Sequence, residues 1–298
     1  MTQFLNNEIT RLSLPTKPGL QQNASINMIS FSDWHDGHSH IMHSHRDVSE
    51  IILLMYGHGR YMINYHLHDL NPGDIVLCGT EQIHDEFPSA DERYGTITIG
   101  ISGLLLPGLA PGQFVPKNCS PVIHQSSVFD ELASLAFMIK KYGTEKDVSQ
   151  ENDPSLSSSL LYHLNGLFID LVRKTAANVP AGEMKINEIC LKAEDYINEH
   201  FAENITLESM AQKLFISPYY LSHLLKEETG YNFKQYLLRR RLGQSQTLLS
   251  FTKMPIGEIA AATGFSDAAY YSRIFAKYIG MPPSSFRKLR AENAPSYI

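Results

Sequence analysis

FISPYYLSHLLKEETG (residues 215–230) and FSDAAYYSRIFAKYIG (residues 265–280) overlie each other at an offset of 50 residues. Phe215/Phe265, Tyr220/Tyr270, Ser222/Ser272 and Gly230/Gly280 are identical, and Leu221/Tyr271 and Leu225/Phe275 keep large, mainly apolar side chains in register. Upstream, Ala211 falls on Ala261. Each copy predicts a short helix, a tight turn and a second helix. In the first, Thr206 caps LESMAQKL, and Ser217 caps the next helix with Pro218 in its first turn, where a missing N–H costs nothing. In the second, a helix over 256–263 ends at Gly264, and Ser266 or Asp267 caps its successor. A small Ala at the crossing lets two helices approach closely, as a helix-turn-helix unit requires. A third helical pattern over 233–249 joins the copies.

Two such units in one chain suit B-DNA. Successive major-groove faces recur about every 34 Å. A connecting helix of roughly 17 residues spans ~25 Å, and the width of the units brings the readers near one helical turn apart. Opposite the apolar stripe of each second helix stand Tyr219, Ser222, His223 and Lys226, then Ala268 or Ala269, Ser272, Arg273 and Lys277. Arg holds guanine bidentately, His and hydroxyls read several base edges, and Tyr or Ala meets a thymine methyl. Lys226, Lys277 and the run Arg239-Arg240-Arg241 are candidate phosphate clamps, although a charge run is equally often a solvated helix face. The competing reading of this region is a helical bundle that binds protein.

Charge supports the DNA reading. The 298-residue chain carries 25 Lys+Arg and 31 Asp+Glu, yet residues 185–298 hold 14 and 11 of these, a balance of +3 against −9 for the preceding 184. A basic portion beside an acidic one is expected when only one half meets phosphate. No secretory signal and no membrane-spanning apolar run is visible, and Cys78, Cys119 and Cys190 form no metal-spaced pair. A cytoplasmic protein without membrane contact is the expectation.

Upstream the pattern changes. Over 26–101, short β-branched and aromatic runs alternate with turns such as Gly57-His58-Gly59 and Asn71-Pro72-Gly73, predicting an antiparallel barrel or sandwich. Residues 1–20 predict a loosely structured arm. Helical patterns follow over 127–141 and 155–174. The second groups Leu160, Leu161, Leu164, Leu167, Phe168 and Leu171 on one face, for packing on the barrel or for a dimer seam. The stretch 175–183 (TAANVPAGE) is the linker candidate, dividing a sensing and dimerisation domain (1–175) from a DNA-binding domain (184–291). The fold class is therefore α+β: an N-terminal barrel with a helical connector and an all-α C-terminal domain.

The C-terminal motifs resemble the AraC/XylS family of bacterial regulators over residues 191–289. The matching pieces are Ser217-Pro218-x-Tyr220-Leu221-Ser222, Lys226-Glu227-Glu228-Thr229-Gly230, Gly264-Phe265-Ser266-Asp267, Tyr270-Tyr271-Ser272-Arg273-x-Phe275 and Pro283-x-x-Phe286-Arg287. Leu225 stands where an aromatic is usual and Ala276 where Lys is common. The resemblance implies a promoter-binding activator or repressor, commonly a homodimer, that senses a small molecule and works with RNA polymerase when activating. It carries the base-reading role to Tyr219, Ser222, His223, Ala268, Ser272 and Arg273.

The N-terminal half resembles a cupin. Gly37-x5-His43-x-His45-x4-Glu50-x6-Gly57 matches the first cupin motif, and Gly73 and His84 stand at the spacing of the second. Gly79 and Glu81 replace its expected Pro and Gly, and Pro88 its final Asn. His43 and His45 alternate onto one strand face, while Glu50 and His84 come from other runs. Three imidazoles and a carboxylate suit Zn, Fe, Mn or Ni, and equally serve as polar contacts to an organic effector. His35, His38, His40, His58, His66 and His68 read as surface or turn residues. A carbohydrate effector fits Trp34, Tyr56, Tyr61 and Arg60 beside the histidines, and family habit also favours a sugar. The alternatives are a metal sensor or a metal-dependent cupin enzyme fused to a DNA module. With no second acid–base motif and no catalytic residue assigned, the expectation is a regulator and not an enzyme.

Overall fold

The computed structural model describes residues 8–11, 24–33, 41–63, 66–89, 92–116, 119–144, 154–177, 179 and 187–292. Its strands are β1 (Glu8–Arg11), β2 (Ser25–Asp33), β3 (Val48–Tyr56), β4 (Gly59–Ile63), β5 (His66–Leu70), β6 (Ile75–Cys78), β7 (His84–Pro88), β8 (Gly95–Ser102) and β9 (Val122–Ile123). They pair antiparallel into one sheet ordered β1-β2-β8-β3-β6-β9 and another ordered β5-β4-β7. VSEIILLMY forms β3 and is buried on both faces, which explains an almost continuous apolar run where a half-exposed strand would alternate. Ile51 and Leu53 face one core. Ile52 and Leu54 face the barrel interior with Tyr61, Ile63, Val76 and Cys78.

Helices α1 (Phe129–Thr144) and α2 (Pro154–Ala177) cover the outer face of the larger sheet. On α2 the buried stripe is Leu164, Phe168 and Val172, while Leu167 turns outward and is 53% exposed. Asn165, a polar break in the apolar pattern, has a structural role: its Oδ1 accepts the Ile26 N–H at 2.9 Å and its Nδ2 donates to the Ala24 carbonyl. The arm expected to be loose contains β1, which extends the sheet with Glu8 opposite Phe31. The rest of residues 1–20 lies outside the described residues.

The C-terminal half comprises α3 (Glu188–His200), α4 (Leu207–Lys213), α5 (Pro218–Thr229), α6 (Phe233–Phe251), α7 (Ile256–Ala262), α8 (Ala268–Ile279) and α9 (Pro283–Glu292). Two helix-turn-helix units, α4–α5 and α7–α8, flank α6, whose 19 residues span about 28 Å. The caps form as expected: Thr206 accepts from Ser209, Ser217 from Tyr220 and Asp267 from Ala269, and α5 and α8 both end on a left-handed Gly, 230 and 280.

The repeat needs a one-residue correction. Ile216 N–H bonds to the Ala211 carbonyl, and Phe265 N–H bonds to that of Ala260. Ala211 therefore matches the buried Ala260, and Ala261 is exposed. Ser266 lengthens the second turn, so the offset is 49 in the first helix and 50 in the second. Phe215 accordingly occupies the place of Gly264, both at positive φ (57° and 83°), and is 95% exposed where Phe265 is buried. Their shared identity is a coincidence of the ungapped offset. The triple arginine is also corrected, because its guanidinium groups are engaged by partners within the protein. Arg239 binds Asp85, Arg240 binds Asn198 and Gln244, and Arg241 donates to the carbonyls of Phe201 and Glu203. Among the described residues, no helix is long and apolar enough to cross a membrane.

Candidate nucleic-acid interface and barrel site

The second helix of each unit buries one stripe and leaves another open. Leu221 and Leu225 on α5, and Tyr271 and Phe275 on α8, are fully buried. On the opposite side of α5, Tyr219 is 83% exposed, His223 and Lys226 are exposed, and Ser222 is half-buried. His223 faces Glu227 one turn on at 3.5 Å, both on the surface. On α8, Ala268, Ala269, Arg273 and Lys277 are exposed, and the Ser272 hydroxyl donates back to the Ala268 carbonyl. Among the described residues Arg273 makes no ion pair, leaving its donor fork available. A cleft of about 820 Å³ opens between the units and is lined by Ser222, Asn232, Lys234, Ser266 and Tyr270, among others.

In the barrel, residues 41 positions apart in sequence are hydrogen-bonded neighbours. His43 and His84 face each other through a two-way backbone bridge, N–H to O at 3.0 and 2.9 Å. Glu50 sits where β3 meets Cys78 of β6. His45 Nε2 is 3.2 Å from one Glu50 oxygen, and His84 Nε2 is 3.3 Å from the other. One ligand atom from each of His43, His45, Glu50 and His84 lies within 4.8 Å of all the others. The His84 Nδ1 side faces the Gln82 carbonyl at 3.0 Å and the Cys78 sulfur at 3.1 Å, which orients the ring with Nε2 toward Glu50. Tyr61 stacks on the same ring at 6.0 Å.

The electrostatics match this geometry. Burial alone would raise the Glu50 carboxyl, but the charges and hydrogen bonds of His45 and His84 hold it well below its ordinary range. Burial opposes charge on His84, yet Cys78 and Glu50 keep its imidazole well above the usual value. Three imidazole nitrogens around an ionised, buried carboxylate form a donor set that fits a divalent transition metal, with Gln82 and Cys78 supporting one ligand.

The other sequence candidates are dispersed. Tyr56 lies six residues along β3 from Glu50, about 20 Å away at 3.3 Å per residue, with its ring against Gly95 and under the Arg93 guanidinium. Trp34, His35, His38 and His40 fall outside the described residues. His58 is exposed beside Glu92, and His66 meets Glu228 of α5 at 3.1 Å. His68, expected at the surface, has a buried Nε2 without a hydrogen-bond partner among the described residues. The contacts of Cys78 and Gln82 with His84 are not legible in the sequence, because they depend on the β6–β7 turn.

Two family models match this chain: an AraC-like ligand binding domain over residues 27–164 and a helix-turn-helix domain over 210–289. The chain is similar to the uncharacterized HTH-type transcriptional regulator YdiP of Escherichia coli, 24% identical over 266 residues, 88% of this chain and 86% of that protein. It is 27% identical over 252 residues to the Msm operon regulatory protein of Streptococcus mutans, covering 82% and 85% of the two. With the arabinose operon regulatory protein of Escherichia coli it shares 37% identity over 109 residues, 36% of each chain.

Proposed function

Because this chain belongs to the AraC/XylS family of transcriptional regulators, we propose that it is a sequence-specific transcriptional activator whose barrel takes a small-molecule effector. The observation that carries this reading is the pair of outward faces on α5 and α8, set on tandem units joined by one helix. Tyr219, Ser222 and His223 read one major-groove segment, and Ala268, Ser272 and Arg273 read the next. Lys226 and Lys277 bind phosphate. The protein acts in the cytoplasm as a homodimer on promoter DNA and engages RNA polymerase. Residues 1–175 sense and dimerise, and residues 184–291 bind DNA.

The effector class is a carbohydrate. One relative is named for the arabinose operon, and a small barrel lined by Tyr61, His43, His45, Glu50 and His84 offers hydroxyl-binding groups beside an aromatic face. A second reading is favoured by the convergence of those four ligand atoms: a divalent metal held by His43, His45, Glu50 and His84, alone or beneath the organic effector. No enzymatic activity is assigned to the site.

Footprinting of the intact protein on the DNA upstream of its gene tests the regulator reading. Two protected segments about one helical turn apart are expected, and sequence-independent coating would reject it. A thermal-shift screen against mono- and disaccharides, with and without chelator, separates the effectors. Stabilisation by a sugar that survives chelator supports the carbohydrate. A shift produced only by metal and reversed by chelator supports the second reading.

A further inference from the structure

Strand β7 has two working faces. His84 points into the barrel, where it belongs to the four-ligand cluster and is 3% exposed. Its neighbour Asp85 points the opposite way, as alternation along a strand requires, and its side chain is wholly buried against the DNA-binding domain. There Asp85 accepts two hydrogen bonds from Arg239 of α6, at 2.5 and 2.7 Å, and one from the Tyr231 hydroxyl at 2.9 Å. Phe87, next on the same face, stacks on Tyr231 at 5.0 Å with the Arg239 guanidinium beside both rings.

The partner segment repeats this arrangement. His43 is bridged to His84, and the residues just before it hold α6. The Ile41 N–H donates to Gln246, and the Met42 carbonyl packs directly on Gly243. Ile41, Met42, Met62 and Ile83 of the barrel are buried in one apolar cluster with helices of the DNA-binding half. Two of the four ligands are thus one residue away, on each of two bridged segments, from side chains or backbone that grip the helix joining the two reading units.

We propose that Asp85 is a positioning residue that couples the barrel site to the DNA-reading units, so that a metal ion at His43, His45, Glu50 and His84 and DNA at α5 and α8 change each other's affinity through the Asp85–Arg239–Tyr231 contact. The inference rests on the metal reading given above. The four ligand atoms lie within 4.8 Å of one another. An ion shared by all four would tie the 41–45 segment and β7 to Glu50. Because Met42 and Asp85 adjoin His43 and His84, a shift of either ligand on loading would reach the seat of α6. Coupling of this kind is reciprocal, and the factor by which metal changes DNA affinity equals the factor by which DNA changes metal affinity.

The test uses the full chain, Zn2+ and separately Ni2+ as probes, and the duplex defined by footprinting. Metal affinity is measured by calorimetry with and without DNA, and DNA affinity by fluorescence anisotropy with and without metal. In the natural protein both ratios are expected to agree and to be about fivefold or larger. In Asp85→Asn and in Arg239→Gln, metal and DNA each still bind and both ratios fall toward one. Tyr231→Phe removes a single hydrogen bond and gives an intermediate ratio, which keeps the test open should either charge variant fail to fold. A ratio of one in the natural protein with metal bound, or an undiminished ratio in the variants, overturns the coupling alone. No metal binding isotherm in the natural protein overturns the metal reading and the coupling together.

Discussion

Gly243, in the middle of α6, lies so close to the carbonyl oxygen of Met42 that a β-carbon built on it would come within 1.8 Å. Glycine inside a helix costs about 1 kcal/mol relative to alanine. Here that cost is offset by the only side chain small enough for the helix to touch the barrel backbone. Gly243→Ala therefore strengthens α6 as a helix and forces it off the 41–43 segment. Native-state hydrogen exchange at the Ile41 amide, which donates to Gln246, is expected to accelerate in the variant. Unchanged protection would mean that the Met42 segment yields instead.

Arg273 has an exposed guanidinium and no acidic partner among the described residues, so nothing within the protein competes with a base for it. Arg273→Ala is expected to weaken binding by ~1–3 kcal/mol and to relax discrimination at one base pair. Affinities across an operator mutated position by position check this. A uniform loss at every position would make Arg273 a phosphate contact.

Glu81 adopts φ 63° at the position where the cupin motif expects glycine. Its backbone N–H is engaged by the His45 carbonyl at 2.7 Å, so the turn geometry is fixed, and its side chain is exposed. A non-glycine residue in the left-handed region costs about 1–2 kcal/mol. The extra unfolded-state freedom of glycine returns part of that. Glu81→Gly is expected to raise stability by ~0.5–1 kcal/mol in chemical denaturation. A lower midpoint would show that the Glu81 side chain stabilises the fold.

His68 sits in β5 with its pKa pushed down to about 4 from 6.5, by burial first and then by His66 and His124, with Asp69 opposing. The unfolded chain therefore takes up this proton at higher pH than the folded one. The stability tied to neutral His68 is complete above pH 6.5 and is lost as pH falls from there to about 4. At 1.36 kcal/mol per pKa unit the loss is at most about 3 kcal/mol, reduced by the partial exposure of the ring. His68→Leu is expected to flatten the acid limb of a stability–pH curve in that window. A curve identical to the natural protein's would assign the limb to other groups.

The readable parts of the chain were those fixed by local rules. Ser217-Pro218, Gly230 and Gly280 announce helix ends through capping chemistry, and the apolar positions of α5 and α8 follow helical spacing, so the tandem units were legible. The four clustered barrel residues, His43, His45, Glu50 and His84, were legible through the resemblance to the cupin motifs, and strand alternation explains why they share a face. What escaped was set by contacts across large sequence separations. Arg239 looked like a phosphate clamp because its acceptor, Asp85, is 154 residues away. The inserted Ser266 was hidden because Phe215 and Phe265 give a false identity that only the Ala211 and Ala260 hydrogen bonds expose. Tyr56 looked like a neighbour of Glu50 because a strand keeps parity while carrying residues far apart.

The longer second turn and the unlike faces of α5 and α8 give this chain a direction. A protein that reads two DNA segments with identical subunits can be rotated by half a turn and bind equally well. Here the open faces differ, Tyr219, Ser222 and His223 on α5 against Ala268, Ser272 and Arg273 on α8, and the barrel grips the end of the pair nearest α5 and α6. Each bound chain therefore has a leading and a trailing end on the duplex. Inverting its site would turn the sensing domain toward the opposite neighbour along the DNA, so the orientation of the site carries information that its base composition does not.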